Sequence, residues 1–184
     1  MGYPTQLRCP KCSATYTPST VRNLCECGAP LLVDYDLAAI RAAGFTPATL
    51  AGRAPDMWRY WEVLPVNDRA NLVSLGEGFT PIVSLLRLGT EVGLPELHMK
   101  DEGLNPTGTF KSRGAAAGVS KAKELGITRV AMPTAGNAGG AWAAYCGRAG
   151  IDFTVVMPVD TPEINLLEAH ITGGNVHLVR GLIS

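Results

Sequence analysis

The sequence has no excess of charge of either sign and no long apolar run. Sixteen basic residues balance sixteen acidic ones in 184 residues, so nothing favours nucleic acid or an anionic membrane as a partner. No stretch approaches the roughly 18 apolar residues of a membrane-spanning helix. The opening "MGYPTQLRCPKC" has neither the apolar core of a secretory signal nor the Arg/Ser-rich character of a transit peptide. We therefore expect a cytoplasmic protein that acts on a small molecule.

Cysteine is scarce, and its distribution is uneven. Four of the five cysteines are Cys9, Cys12, Cys25 and Cys27, and Cys146 stands alone on an apolar helix. In a long chain without a secretory signal, such clustering favours metal over disulfides. The pairs "CPKC" and "CEC", separated by twelve residues, offer four thiolates to a tetrahedral structural zinc ion. The alternative is a ribbon that folds without metal, or cysteines that are simply buried.

The chain changes character twice. Residues 1–34 are short, turn-rich and cysteine-punctuated, and predict a zinc-ribbon-like module. Residues 35–93 predict a helical and loop segment, in which "DLAAIRAAG" has helical spacing and "MWRYWEVLPV" buries Trp58 and Trp61. Residues 94–184 alternate between strand and helix patterns, which indicates an α/β domain with a parallel sheet and helices on both faces. Since the sequence stops directly after a strand pattern, we expect it to be the N-terminal part of a longer protein.

The α/β region has clear element signals. Four runs predict its strands, "ELHMK", "RVAMP", "DFTVVMP" and "NVHLV". Between them lie three helix patterns, "TFKSRGAAAGVSKAKELG", "GNAGGAWAAYCGRAG" and "TPEINLLEAHITGG". In the last of these, Thr161 is the predicted N-cap, Pro162 the first helical residue and Gly173 the stop.

Two turns in this region carry groups suited to chemistry. In "NPTGTFKSRG", Lys111 follows a Pro/Gly turn and opens a helix, whose N-terminal dipole disfavours an ammonium. Phe110 adds an apolar wall, although Lys111 alone would be read as an ordinary solvated helix lysine. In "MPTAGNAGG", the next strand-to-helix turn exposes backbone N–H groups to an anion, and Thr134 and Asn137 add polar side chains. We expect both turns at the carboxyl ends of successive parallel strands, where open α/β sheets bind ligands.

Together, "GEGFTP", "KDEGLNPTGTFKSRG" and "TAGNAGGAWAAY" resemble the pyridoxal-phosphate enzymes of the tryptophan-synthase-like fold, the fold type II class. Within that class the sequence is most similar to the threonine synthases. The cysteine ribbon, "GAPLLVDYDL" and "TPEINLLEAHITGGNVHLVRG" share this similarity, so the resemblance covers nearly the whole chain. It implies a lyase that converts O-phospho-L-homoserine and water to L-threonine and phosphate.

The resemblance also implies roles for single residues. Lys111 would hold pyridoxal 5'-phosphate as a Schiff base and then move protons, with Asn137 at the cofactor's ring oxygen and Phe110 beside the ring. The substrate carboxylate would be bound by the turn formed by Thr134, Ala135, Gly136, Asn137 and Ala138. Arg113 and Lys100 would contact a substrate phosphate; the alternative for each is an ion pair at the sheet edge.

Other functions stay open at this point. A threonine dehydratase, a cysteate-synthase-like or another β-replacement enzyme of the same fold is one alternative, and a zinc-ribbon binding module with a silent α/β remnant is another. The family also has a second glycine-rich loop for the cofactor phosphate and a Ser or Thr facing the pyridine nitrogen, both absent from this sequence. We therefore expect the chain alone to bind the cofactor poorly and to be inactive. The resemblance implies an amino-acid substrate, and a homodimer for the longer protein.

Overall fold

The computed structural model describes residues 3–181. Its first part is a small antiparallel sheet in the order β2-β1-β3, formed by β1 (Pro4–Arg8), β2 (Thr15–Tyr16) and β3 (Leu32–Tyr35). The loops that connect these strands carry the four clustered cysteines, so the sheet serves mainly to bring two cysteine turns together.

Short helices follow this sheet, namely α1 (Leu37–Ala42), α2 (Pro47–Leu50) and two 3-10 helices, Met57–Val63 and Arg69–Asn71. The side chain of Asp36 caps α1 by accepting a 2.8 Å hydrogen bond from the backbone N–H of Ala39. The helix predicted at "MWRYWEVLPV" is confirmed, as a 3-10 helix, and it buries both Trp58 and Trp61. These indoles anchor the segment on the α/β core.

The first strand of the α/β region lies outside the parallel sheet. β5 (His98–Lys100) pairs antiparallel with β4 (Ile82–Ser84), and α3 (Leu86–Glu91) connects the two. The prediction that "ELHMK" begins the parallel sheet is therefore wrong. Its partner is a three-residue strand earlier in the chain, and no local sequence pattern predicts this pairing.

The remaining elements form the βα repeat that the sequence predicts. They are α4 (Lys111–Glu124), β6 (Arg129–Pro133), α5 (Ala138–Ala149), β7 (Asp152–Pro158), α6 (Glu163–Ile171) and β8 (Asn175–Val179). The three strands are parallel in the order β6-β7-β8. The structure differs at the start of α6: Pro162 is the N-cap, and Thr161 makes no capping bond.

Only one face of the parallel sheet is covered among the described residues. Phe153, Val155 and Met157 alternate along β7 and are buried against α5, which in turn contacts α4 and α6. On the opposite face, Ala131 and Pro133 are exposed and Val156 is half-buried. The expectation of helices on both faces is thus not met within residues 3–181. No helix in this part of the chain combines the length and the apolar character needed to cross a bilayer.

The core is centred on the contact between α4 and α5, where small residues bring the two helices close. A Cβ placed on Gly118 of α4 would lie 2.6 Å from Cη2 of Trp142 on α5, well inside van der Waals contact. A Cβ on Gly114, one turn earlier, would meet nothing within 4 Å. The same substitution therefore has opposite consequences at the two glycines.

We predict that Gly118→Ala destabilises the fold by about 1–3 kcal/mol, because Trp142 must shift to admit the methyl group. Gly114→Ala is the matched control in the same helix, and should stabilise the chain by up to about 1 kcal/mol through helix propensity. Urea unfolding of both variants measures the difference. Equal free energies of unfolding for the two variants would contradict this close approach.

Candidate functional site

Lys111 is the first residue of α4, and its side chain is exposed. A 3-10 turn, Pro106–Gly108, leads into the helix, with Thr107 in the left-handed region at φ +61°. The Lys111 ammonium lies 4.3 Å from the centroid of the Phe110 ring, itself 56% exposed. Among residues 3–181 the Lys111 amine has no hydrogen bond or salt bridge, so it is uncommitted and open to solvent.

The second predicted turn connects β6 to α5. Thr134 is buried, and its backbone N–H donates to the carbonyl of Val156 at 3.0 Å, which ties the turn to β7. Its hydroxyl oxygen accepts a 3.3 Å hydrogen bond from the N–H of Gly136. Within the described part of the chain, the N–H groups of Ala135, Asn137 and Ala138 have no backbone acceptor. Three free donors at the start of a twelve-residue helix suit an anionic group.

The helices that follow the two turns pack on each other. Both α4 and the Pro106–Gly108 turn contact α5, the helix that the 134–138 turn opens. We expected the two turns to share a sheet edge, but the strand before Lys111 belongs to the antiparallel β4–β5 pair. The elements that carry Lys111 and the 134–138 turn are therefore connected through the α4–α5 contact and not through strand order.

Arg113 and Lys100 both lie beside Glu102. The Arg113 guanidinium donates to the two Glu102 carboxylate oxygens at 2.6 and 2.8 Å, while the Lys100 ammonium donates to the Thr80 carbonyl at 2.6 Å and lies 4.0 Å from Glu102. The Glu102 carboxylate also accepts from the Thr80 hydroxyl and the Asn105 amide. Arg113, above all, lowers the pKa of Glu102 to about 2. The ion pair foreseen as the alternative for Arg113 is present, and a phosphate contact stays a prediction.

Glu77, in the middle of "GEGFTP", is a functional candidate that the sequence reading missed. Its side chain is 0% exposed and has no cationic partner. Instead, it accepts hydrogen bonds from Trp58 Nε1 at 2.8 Å, the Tyr145 hydroxyl at 2.5 Å, the Ser74 hydroxyl at 3.2 Å and the Leu75 N–H at 3.0 Å. An acidic residue flanked by two glycines was the signal available in the sequence. Both glycines have positive φ in the structure.

The four clustered cysteines converge in space. Their Sγ atoms all lie within 4.8 Å of one another, with Cys9–Cys27 at 3.6 Å and Cys12–Cys25 at 3.5 Å. Thiolates bound to one zinc ion at about 2.3 Å would lie about 3.8 Å apart, so the set has the size of a zinc site. The Tyr16 hydroxyl, 3.2 Å from the Cys25 sulfur, lowers the pKa of that thiol to about 6. Hydrogen bonds with the neighbouring thiols raise the pKa of Cys12 to about 12, so the cluster divides into thiols with low and high pKa.

The sequence and the fold are similar to those of known proteins. A sequence model of the family described as "Pyridoxal-phosphate dependent enzyme" matches residues 73–183. A threonine synthase of Methanocaldococcus jannaschii is 39% identical over 175 residues, covering 95% of this chain and 43% of that protein. A threonine synthase of Methanosarcina acetivorans is 36% identical over 177 residues, covering 95% and 42%. The chain thus spans less than half the length of these curated relatives.

Among solved structures, maize serine racemase matches with a TM-score of 0.52 and 27% sequence identity. The match covers 56% of this chain and 32% of the racemase chain. Its printed name denotes a different reaction, so the fold alone does not select one.

For the Glu77 network, we predict that Glu77→Gln lowers the free energy of unfolding by about 3 kcal/mol. The new amide turns its own N–H groups toward hydroxyl and backbone donors, which leaves buried donors unpaired. Glu96→Gln is the matched control, because Glu96 is exposed, and should change stability by less than about 0.5 kcal/mol. Equal unfolding curves for both variants would refute the assignment of Glu77 as a central acceptor.

For the cysteine cluster, we predict about one zinc ion per purified chain, with the metal lost in Cys12→Ser. Cys146→Ala changes a buried cysteine outside the cluster and should keep the metal. Elemental analysis of protein never exposed to a chelator provides the measurement. A metal-free wild-type chain would rule out the zinc site.

Proposed function

We propose, from its membership of the family of pyridoxal-phosphate-dependent enzymes, that the chain carries part of the active site of a threonine-synthase-type lyase. This part consists of the lysine turn, residues 106–111, and the substrate turn, residues 134–138. The reaction would convert O-phospho-L-homoserine and water to L-threonine and phosphate. One observation carries the proposal: the uncommitted amine of Lys111 opens a helix packed on α5, whose own first turn presents free N–H donors. The two threonine synthase relatives support the choice of reaction within the family.

The residues around Lys111 fit the family cofactor. Lys111 supplies a primary amine with no competing partner, and Asn137 supplies a side-chain amide that is likewise unpaired among the described residues. Phe110 supplies an aromatic face beside the amine. When bound, pyridoxal phosphate supplies the electron sink that lets a proton leave a carbon of the amino acid. Lys111 would hold this cofactor, Asn137 would face its ring oxygen, and Phe110 would flank it.

Lys111 would also move the protons of the reaction. Lys111 Nζ would accept a proton from one carbon of the substrate and return it at a neighbouring carbon. Because Lys111 lies on the first turn of a helix, the position of its backbone is fixed. The flexible lysine side chain then supplies the reach between the two carbons.

The 134–138 turn would hold the substrate carboxylate. The free N–H groups of Ala135, Asn137 and Ala138 and the buried Thr134 hydroxyl are donors aligned with the positive end of α5. Lys100 and Arg113 are proposed for the substrate phosphate. Because Arg113 is already paired with Glu102, it would bind phosphate by sharing its guanidinium between the two anions.

We predict that the chain, mixed with pyridoxal phosphate and then reduced with borohydride, is labelled at Lys111 in preference to its other lysines. Peptide mapping by mass spectrometry gives the measurement. Lys111→Ala should lose most of the label, whereas Lys123→Ala, an exposed lysine on the same helix, should retain it. Because Lys111 and Phe110 are open to water, we expect labelling to be weak.

Three results would count against parts of this proposal. Even labelling across all lysines would remove Lys111 as the cofactor lysine. A strong absorbance band that depends on Lys111 would contradict the expected weak binding by the chain alone. O-Phospho-L-homoserine should protect Lys111 from labelling better than L-threonine, the amine-bearing control; better protection by L-threonine would favour the dehydratase alternative.

A further inference from the structure

The start of α6 lies next to the substrate turn. α5 begins after β6 and α6 begins after β7, and these two strands are neighbours in the parallel sheet. The hydrogen bond from the Thr134 N–H to the Val156 carbonyl joins the two strand ends directly. The first turns of both helices therefore stand side by side at one edge of the sheet.

Asn165, on the first turn of α6, faces Gly136 in the substrate turn. A Cβ placed on Gly136 would lie 4.0 Å from Asn165 Nδ2, with no other atom nearer. One turn further along α6, the Glu168 side chain lies so close to Gly140 of α5 that a Cβ there would overlap it. α6 thus runs along the substrate turn and the first turn of α5, and Asn165 is its residue at Gly136.

Two polar groups at this end of α6 lack partners within the described part of the chain. The Asn165 amide makes no hydrogen bond, although it lies in a partly buried position. Thr161 is only 7% exposed, and its hydroxyl oxygen is a buried atom with no partner. Buried polar groups are nearly always hydrogen-bonded, so the Thr161 hydroxyl is an exception at this end of α6. The half-buried Asn165 amide is a free donor next to Gly136 and its neighbouring backbone N–H groups.

We propose that Asn165 is a binding residue for the carboxylate of the amino-acid substrate. Its amide N–H would add a side-chain donor to the backbone donors of residues 135–138, and Gly136 leaves the space in which the carboxylate reaches both. A carboxylate accepts several donors at once, and bonds to a charged acceptor are stronger than neutral ones. The inference rests on the proposed function, since it assigns a further residue to the same turn.

The test uses the ¹⁵N-labelled 184-residue chain, titrated with L-homoserine and followed by NMR. L-Homoserine lactone, which keeps the amine but has no free carboxylate, is the matched control ligand. We expect L-homoserine, and not the lactone, to shift the Asn165 side-chain amide and the backbone amides of residues 135–138. Asn165→Asp, which replaces the donor with a like charge, should weaken binding about tenfold or more. Asn23→Asp, in the cysteine module, should leave binding unchanged.

The outcomes separate this inference from the proposal on which it rests. Shifts at residues 135–138 with the same affinity in wild type and Asn165→Asp would overturn the role of Asn165 and leave the substrate turn intact. The absence of shifts at both places would overturn the two together. If Asn165→Asp loses the dispersion of a folded spectrum, Asn165→Ala takes its place, and there too an unchanged affinity would overturn the inference.

Discussion

The buried carboxylate of Glu77 is the interaction on which the arrangement of this chain depends. Its side chain forms no salt bridge within residues 3–181, and its hydrogen-bond donors come from separate parts of the sequence, Trp58 before it and Tyr145 on α5. Such an acceptor is costly unless every donor is in place. The "GEGFTP" loop, the 3-10 helix and α5 are therefore expected to reach their final positions together.

This interdependence extends to the site. α5 carries Tyr145 near its end and the 134–138 turn at its start, and α4 with Lys111 packs on the same helix. A second acidic residue, Glu102, joins Thr80 of the loop to Arg113 of α4. Two carboxylates thus connect the loop to α4, which begins at Lys111, and to α5, which the 134–138 turn opens. The position of Lys111 therefore depends on the "GEGFTP" loop as well as on α4.

Much of the fold could be predicted from local patterns. The three long helices and the strands β6 to β8 follow from periodicity and from glycines such as Gly150, which has the positive φ typical of a helix end. The partner of β5 could not be predicted, because β4 is short, exposed and lacks the alternation that identifies a strand. The expectation of two covered faces was not met within residues 3–181, where the strand "RVAMP" alternates between exposed and half-buried residues.

The candidate site was only partly visible in the sequence. Lys111 and residues 134–138 could be located because their motifs are continuous. Glu77 and Asn165 were missed because what identifies them is contact across the fold: Glu77 meets Tyr145, 68 positions later, and Asn165 meets Gly136. A polar residue in a strand-to-helix turn can be recognised from the sequence, whereas a polar residue whose partners lie on other elements cannot.

The close contact between Gly118 and Trp142 has a consequence for how this sequence can diverge. The indole occupies the volume in which any side chain at position 118 would begin. A larger residue at 118 is compatible with the same helix spacing only if position 142 becomes smaller in the same lineage. The two positions lie 24 apart in the sequence. They should therefore vary together, with a larger side chain at position 118 accompanied by a smaller one at position 142.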